Sequence, residues 1–422
     1  ISKFKKIWIE IEEPFLMEII NSNTQEKSLN ALFKIINEGF TKESEKQLCS
    51  IINKLLSGKY FDPETRGKML SKIHSLLSQN GRIIDEGWPD LLRSLSPKNF
   101  EDDLDCLHTS YNCLQLICSD FLYPLGNDVQ MRIINLTIDF VEQKTDINVS
   151  LSAFGLLWNL SSVAKTAEMW NLIFKLSYPL IGDERNDVSL CAVNTFFSLL
   201  ISNSATLDKD VIKYFANDLL SKILDILVED RPNNESTEQS AFHELAHCAK
   251  NLWAQISEVV DNQDKTWSRM ILEHEKFVMR CTKHEIIIAS LLFYEEIFQC
   301  DNFTDEMFIL TFDSLDRIIQ FFIERNDPNS PIYGSLGKMI RVCLPAQKNR
   351  MNMTFLKRWI NIIEKLIFDL VGGPCLPPTA HKSLDALELL FPLDKEPTLV
   401  LYQSLVKIAS FHHVESNKRN RL

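Results

Sequence analysis

Apolar residues recur at spacings of three and four along most of this 422-residue chain, with polar residues between them. That period lays one apolar stripe along an α-helix and leaves the opposite side wet. Leu29, Leu32, Phe33 and Ile36 form one stripe, in a helix expected over Ser28–Asn37 with Gly39 near its C-cap. Leu104, Leu107, Tyr111, Leu114 and Ile117 form another, over Asp102–Cys118. Further helices are expected over Ile7–Ile20, Glu43–Leu56, Val129–Val141, Ala164–Leu176 and Asp210–Val228. One more starts at Asp62-Pro63-Glu64, with Asp62 as cap and Pro63 in the first turn, and runs to about Leu77. Val149–Leu160 and Val188–Leu200 are apolar over most of their surface, as in helices that neighbours cover on more than one side.

Breaks separate these segments. Asp120–Pro124 and Gly182–Asn186 read as turns, and Glu229–Ser240, without a large apolar residue, reads as an exposed loop. Helices resume at Ala241, with breaks near Asn262, Asp301, Asp327–Pro331, Pro345 and Gly372–Pro378. The expected organisation is helical repeats over 1–228, the loop over 229–240, and further helical repeats over 241–422. The total comes to about 18 to 20 helices in about 8 to 10 layers.

A five-residue phrase gives the repeat its register. It reads Ser28-Leu29-Asn30-Ala31-Leu32, Ser150-Leu151-Ser152-Ala153-Phe154, Ser189-Leu190-Cys191-Ala192-Val193 and Ser383-Leu384-Asp385-Ala386-Leu387. The starts lie 122, 39 and 194 residues apart. These gaps approximate three, one and five units of roughly 40 residues, the period of HEAT and armadillo repeats. The expected fold is therefore all-α, a right-handed α-solenoid of HEAT/armadillo-like helical hairpins. Such stacks mostly bind other proteins, each hairpin burying its face against its neighbours.

Composition agrees. Only 12 glycines occur, which favours helix over sheet. The net charge of -12 and the absence of a long Lys/Arg block argue against nucleic acid as a partner. The densest basic cluster is Lys418, Arg419 and Arg421 at the tail. Cys106, Cys113 and Cys118 lie on one expected helix, and no second cysteine pair completes a zinc site, so reduced thiols are expected. The run Ile286–Tyr294 is bounded by Glu285 and by Glu295 and Glu296, too short to span a bilayer. The sequence opens on Ile1 rather than Met and reads as a segment of a longer protein.

His243-Glu244-Leu245-Ala246-His247 matches the H-E-x-x-H zinc-protease pattern. Its two imidazoles would share a helix side, with Glu244 as the base for metal-bound water. The continuation disagrees, since Lys250 and Trp253 stand where a metzincin carries Gly and His. Glu273 or Glu275 could supply a third ligand by distance in sequence alone. An ordinary amphipathic helix explains the segment better: Phe242, Leu245, Ala249, Leu252, Trp253 and Ile256 line one side, and His243, His247, Lys250, Asn251 and Glu258 the other. No phosphate-binding loop, dinucleotide turn or serine elbow occurs, and no cofactor is implied. Glu295 and Glu296 point about 100° apart on a helix and read as a solvated face. Trp88, Trp158, Trp170 and Trp253 read as core between helices rather than as partner anchors.

Four phrases carry a family resemblance: Gly87-Trp88-Pro89, Cys113–Leu122, Asn148–Leu160 and Asp187–Phe197. They resemble the C-terminal half of the Mon2 (Ysl2) family of Golgi and endosomal scaffolds. More loosely, they resemble the helical domains that follow the catalytic module in the Sec7/BIG exchange factors for Arf GTPases. The resemblance is specific over about residues 80–230 and fades after Leu207. It implies a peripheral protein on the cytoplasmic face of late Golgi and endosome membranes, active in endosome-to-Golgi traffic. It implies a Dopey-family protein as partner, with an Arf-like small GTPase and an aminophospholipid flippase as further partners. No family residue with a catalytic role is carried over, and the protein-binding residues stay unassigned. In the phrase around Trp158, Gly155 is expected to permit close helix approach, and Leu156, Leu157 and Trp158 to fill the core between layers.

The reading is a non-catalytic binding scaffold. Its alternatives are a regulatory arm of an Arf exchange factor and a zinc metalloprotease acting through His243, Glu244 and His247.

Overall fold

The structure is a computed structural model. It describes residues 25–368 apart from 43, 59, 230–234, 260–262, 301–303, 325–330 and 347–352, with a few isolated positions nearer the ends. The chain divides into two compact units, Ile1–Leu199 and Leu200–Leu422. Among the described residues every regular element is helical.

The first unit contains α1 (Gln25–Gly39), α2 (Glu45–Ser57), α3 (Pro63–Asn80), α4 (Trp88–Ser94), α5 (Leu104–Asp120), α6 (Asn127–Glu142), α7 (Ile147–Ser161), α8 (Ala167–Ser177) and most of α9 (Asn186–Ser202). Packing follows two rows. Helices α2, α4, α6 and α8 stack on one another, and so do α1, α3, α5 and α7. This is the all-α, HEAT/armadillo-like stack of hairpins that the 40-residue register predicts. Asp62 caps α3, its carboxylate accepting from the Thr65 N–H at 2.8 Å, as the Asp-Pro start predicts.

The second unit contains α10 (Lys209–Tyr214), a π turn over Phe215–Leu219, α11 (Leu220–Val228), α12 (Glu235–Val259), α13 (Gln263–Arg280), α14 (His284–Phe298), α15 (Asp305–Glu324), α16 (Pro331–Ala346) and α17 (Met353–Phe368). Again alternate helices stack: α10, α12, α14 and α16 in one row, α11, α13, α15 and α17 in the other.

Polar contacts record the repeat directly. Lys98–Asp139 spans 41 residues, Arg280–Glu238 and Arg317–Glu275 span 42, and Arg269–Asp225 spans 44. Each joins one hairpin to the next. The apolar core lies between the rows, with Trp88, Phe140, Phe154 and Phe174 buried in the first unit and Trp253, Trp267 and Tyr294 in the second.

The structure alters several expectations. The break over Glu229–Ser240 is shorter, because α12 already begins at Glu235. Thr237 and Glu238 are buried there, and the Glu238 carboxylate pairs with Arg280. A polar run thus joins the helix because its acid finds a cation one repeat away; residues 230–234 lie outside the described residues. Asp210–Val228 carries a π turn in its middle. Pro345 sits in the last turn of α16, which ends one residue later. Of the expected helix over 7–20 only positions 14 and 17–19 are described, each helical, and the break over 372–378 and the phrase at 383–387 lie outside the described residues.

Of the recurring phrases, two are structurally equivalent. Ser150 and Ser189 are both buried near the starts of α7 and α9, with their hydroxyls turned back to the preceding loop, to Gln143 O and Ile181 O. Ala153 and Ala192 follow them into the core, whereas Ala31 of the first phrase is exposed.

Candidate interaction surface

Helices α5 and α7 lie side by side in one row and are joined at both ends. Asp103 caps α5 through the Cys106 N–H, and Asp146 caps α7 through the Asn148 N–H. His108 Nε2 meets the Asp146 carboxylate at 2.6 Å, and that contact, together with the Asn148 N–H, holds the carboxyl below its usual range. At the other end the Tyr123 hydroxyl meets Ser162 Oγ at 3.4 Å.

Between these clasps both helices present an outer stripe at helical spacing. On α5 it is Asn112, Gln115 and Ser119; on α7 it is Ser152, Gly155 and Asn159, all exposed. No Asp, Glu, Lys or Arg occurs from Cys106 to Ser119, nor from Ile147 to Ala164, in a chain with 24% charged residues. Leu116 and Leu151 are half-buried on this face. Trp158 is 42% exposed and Tyr123 73% exposed, and with Tyr60 they are the exposed large aromatics among the described residues of this unit.

Two expectations about this phrase change. Trp158 does not fill the core between layers; Phe154, Leu157 and Leu160 do, and the helix turns the indole outward. Gly155 permits no close approach, since a Cβ built there meets nothing within 4 Å. Trp88, Trp170 and Trp253 are buried as expected. Beneath the face lies Tyr111, only 6% exposed, packed on Phe140 with ring centroids 5.5 Å apart. Its hydroxyl makes no hydrogen bond within bonding distance, and burial raises its pKa to about 12, opposed in part by the nearby Gln115 and Ser152 side chains.

A concavity of about 640 Å³ opens elsewhere, beside the end of α6, between Pro97, Lys98, Glu101, Asp139, Glu142 and Thr145. Its cations are already engaged, Lys98 with Asp139 at 2.7 Å and Lys144 with Asp183 at 3.4 Å. Burial, then Asp139, raises the Glu142 pKa.

The H-E-x-x-H segment lies on α12, with Leu245, Ala249, Leu252, Trp253 and Ile256 buried. His243 and His247 are half-buried on its outer side. His247 Nδ1 is 3.8 Å from Glu296, but Lys250 Nζ holds the same carboxylate at 2.9 Å. Glu275 is gripped by Arg317 through two bonds of 2.6 and 2.7 Å, and Glu273 accepts from Lys276 at 3.1 Å. Among the described residues no group of three or more His, Cys, Asp or Glu is placed to hold a metal. Cys106, Cys113 and Cys118 are buried free thiols, and burial pushes each up to about 12. Their depth disfavours the reactive thiolate.

Sequence periodicity missed two polar features. Arg185 is the hub where α6, α7 and the segment before α9 meet, donating to Asp183, Gln143 O, Val141 O and Ser150 Oγ. His274 is fully buried on α13, although it sits in a polar run. Arginine at a helix start and histidine between acids both read as surface. Among the described residues no helix is long and apolar enough to cross a membrane.

No family model matches the chain. The curated proteins it matches are Mon2 homologues. It is 21% identical over 285 residues to the "Protein MON2 homolog" of Drosophila melanogaster, covering 56% of this chain and 17% of that protein. With the Homo sapiens protein of the same name it shares 26% over 149 residues, covering 33% and 9%. With that of Schizosaccharomyces pombe it shares 31% over 116 residues, covering 26% and 7%. The chain is thus similar to the Mon2 family across animals and fungi, and its match spans at most 17% of these three relatives' length. Among solved structures, Kap121p bound to Pho4p aligns over 95% of this chain and 43% of its own, with TM-score 0.38 and 12% identity. A Kap121p mutant aligns over 94% of this chain and 45% of its own, with TM-score 0.40 and 12% identity.

Proposed function

We propose that the chain is a non-catalytic protein-binding scaffold that serves vesicle traffic between endosomes and the Golgi. One observation carries the binding role: two adjacent helices, α5 and α7, present an outer face without a formal charge and with Trp158 standing open on it. Trp and Tyr are enriched among the residues that anchor protein interfaces. The trafficking role rests on the likeness to the Mon2 homologues. In this reading the protein works at the cytoplasmic face of late Golgi and endosome membranes, held there through partners. A Dopey-family protein is the first partner proposed, and an Arf-like GTPase and an aminophospholipid flippase are further ones.

The purified chain, used as bait in yeast extract, tests this reading. Recovery of a Dopey-family protein is the expected result. Recovery of no trafficking component, while a longer segment of the same protein captures one, would remove the binding role from these residues.

A further inference from the structure

We infer that the outer face of α5 and α7 docks an α-helix of a partner protein whose contacting side is itself free of formal charge. The inference rests on the scaffold reading and names the chemistry of what is bound. The face offers no cation to a phosphate, so a lipid headgroup or nucleic acid would find nothing to neutralise it. It offers no carboxylate between its clasps, so the cations of a basic segment would be desolvated without a counter-charge. The remaining complement is uncharged, and the face is built for it.

The detail of the face favours a helix. Two adjacent helices form a groove between their side-chain ridges, and a third helix can settle into it. Gly155 leaves a gap in the α7 ridge with open space above its Cα, room for an incoming side chain. Trp158 stands one turn further on, and half-buried Leu116 and Leu151 supply apolar contact to either side. The Ser119 and Ser162 hydroxyls are satisfied locally, by Leu116 O and Asn159 O, so covering them strands no donor.

The substitution Gly155→Arg isolates the surface from the fold. The new side chain meets no atom of the protein at its Cβ, sits at an exposed helical position and plants a charge in the centre of the face. A library of helical peptides displayed on phage is selected against the whole chain. The selected peptides are then measured by fluorescence anisotropy on the wild type, Gly155→Arg and Trp158→Ala. The expected consensus is a helix with an uncharged contact side, and each substitution weakens its binding by about tenfold or more with unchanged circular dichroism. Ser152→Arg, on the same stripe, serves if Gly155→Arg fails to fold. Selection of basic, acidic or extended peptides, failure to select any, or binding indifferent to both arginines overturns the inference. The same variants separate this inference from the scaffold reading: partner capture that survives Gly155→Arg and Ser152→Arg leaves a scaffold that binds elsewhere.

Discussion

Arg185 donates to the carbonyl oxygen of Gln143 at 2.7 Å, reaching 42 residues back along the chain. The same guanidinium takes Val141 O at 3.0 Å, so one side chain satisfies two carbonyls at the C-terminal end of α6. Two bonds of 2.9 Å to Asp183 hold it in place. Repeat stacking here is fixed by a polar clasp as much as by the apolar core. The clasp is placed where the backbone leaves a helix and has carbonyls to spare.

Replacing Arg185 with Ala is expected to cost about 2–4 kcal/mol, because it strands buried acceptors rather than only removing a surface charge. Arg185→Lys keeps the charge but loses the planar fork, and should fall between. The pH dependence has a definite sign. Burial raises the Asp183 carboxyl, but Arg185 more than offsets this and leaves it below its usual value of 3.8. Its contribution is therefore present above that value and is lost as pH falls through the lower folded one. Urea unfolding of both variants checks the order, and a midpoint for Arg185→Ala equal to the wild type would show the clasp to be idle.

Two glycines should respond in opposite directions to Ala. A Cβ at Gly87 would lie 2.4 Å from Glu45 Oε2 and 2.8 Å from Cys49 Sγ. Glu45 is 3% exposed and accepts from the Glu86 and Gly87 N–H groups at 3.0 and 2.8 Å, so it has little room to yield. Gly87→Ala is expected to destabilise by roughly 1–3 kcal/mol. Gly155 stands in open space inside α7, and Gly155→Ala should stabilise by about 0.8–1 kcal/mol through helix propensity alone. Thermal unfolding separates the two, and a destabilised Gly155→Ala would restore the close-packed role first read for that glycine.

His274 supplies an acid-sensitive element in the second unit. It is fully buried, stacked on Phe293 at 3.9 Å between centroids and edged by Phe242 and Tyr294, and neither ring nitrogen has a hydrogen-bond partner. The nearby acid and base answer each other, Glu275 with Arg317, and the Tyr294 hydroxyl is held by Ser314 at 2.7 Å. Burial lowers the His274 pKa from 6.5 to about 3, opposed only in part by the Ser290 backbone. Between those values the unfolded chain carries a proton that the folded one excludes, so stability falls as pH drops below 6.5. The loss is about 1.4 kcal/mol per pH unit, or roughly 2 kcal/mol at pH 5. His274→Phe should flatten this slope. Equal slopes for wild type and variant between pH 7 and 5 would count against a neutral buried ring.

Periodicity carried the architecture because helix spacing is a local property. The stripe Leu107, Tyr111, Leu114 and Ile117 had to face a core, and it does. The 40-residue register was equally legible, since the Ser150 and Ser189 phrases occupy equivalent places. The open side of α7 was not, because that helix is apolar over most of its length and its short polar stripe of Ser152 and Asn159 does not tell on which side of it Trp158 falls. Leu156, Leu157 and Trp158 are contiguous apolar residues, and only packing decides that the first two are buried and the third is not. The start of α12 was hidden for the converse reason: Glu238 reads as solvent-facing until its partner Arg280, 42 residues on, is known.

The H-E-x-x-H segment offers the last test. A zinc centre would need His243 and His247 to converge on a third ligand, and among the described residues no group of three or more His, Cys, Asp or Glu is placed to do so. Glu296 holds Lys250 at 2.9 Å, and Lys250 also reaches Gln299 Oε1 at 2.8 Å; Glu275 and Glu273 are held by Arg317 and Lys276. Recruiting Glu296 to a metal would release Lys250 from its ion pair, and the metal would have to make good that loss. The buried side of α12 does not involve either imidazole, so the fold has no need of them. The double substitution His243→Ala and His247→Ala is therefore expected to change stability by less than about 0.5 kcal/mol, the range of ordinary surface changes. Its zinc content by atomic absorption should match the wild type. One zinc per chain in the wild type that disappears in His243→Ala would overturn this reading and revive the metal centre.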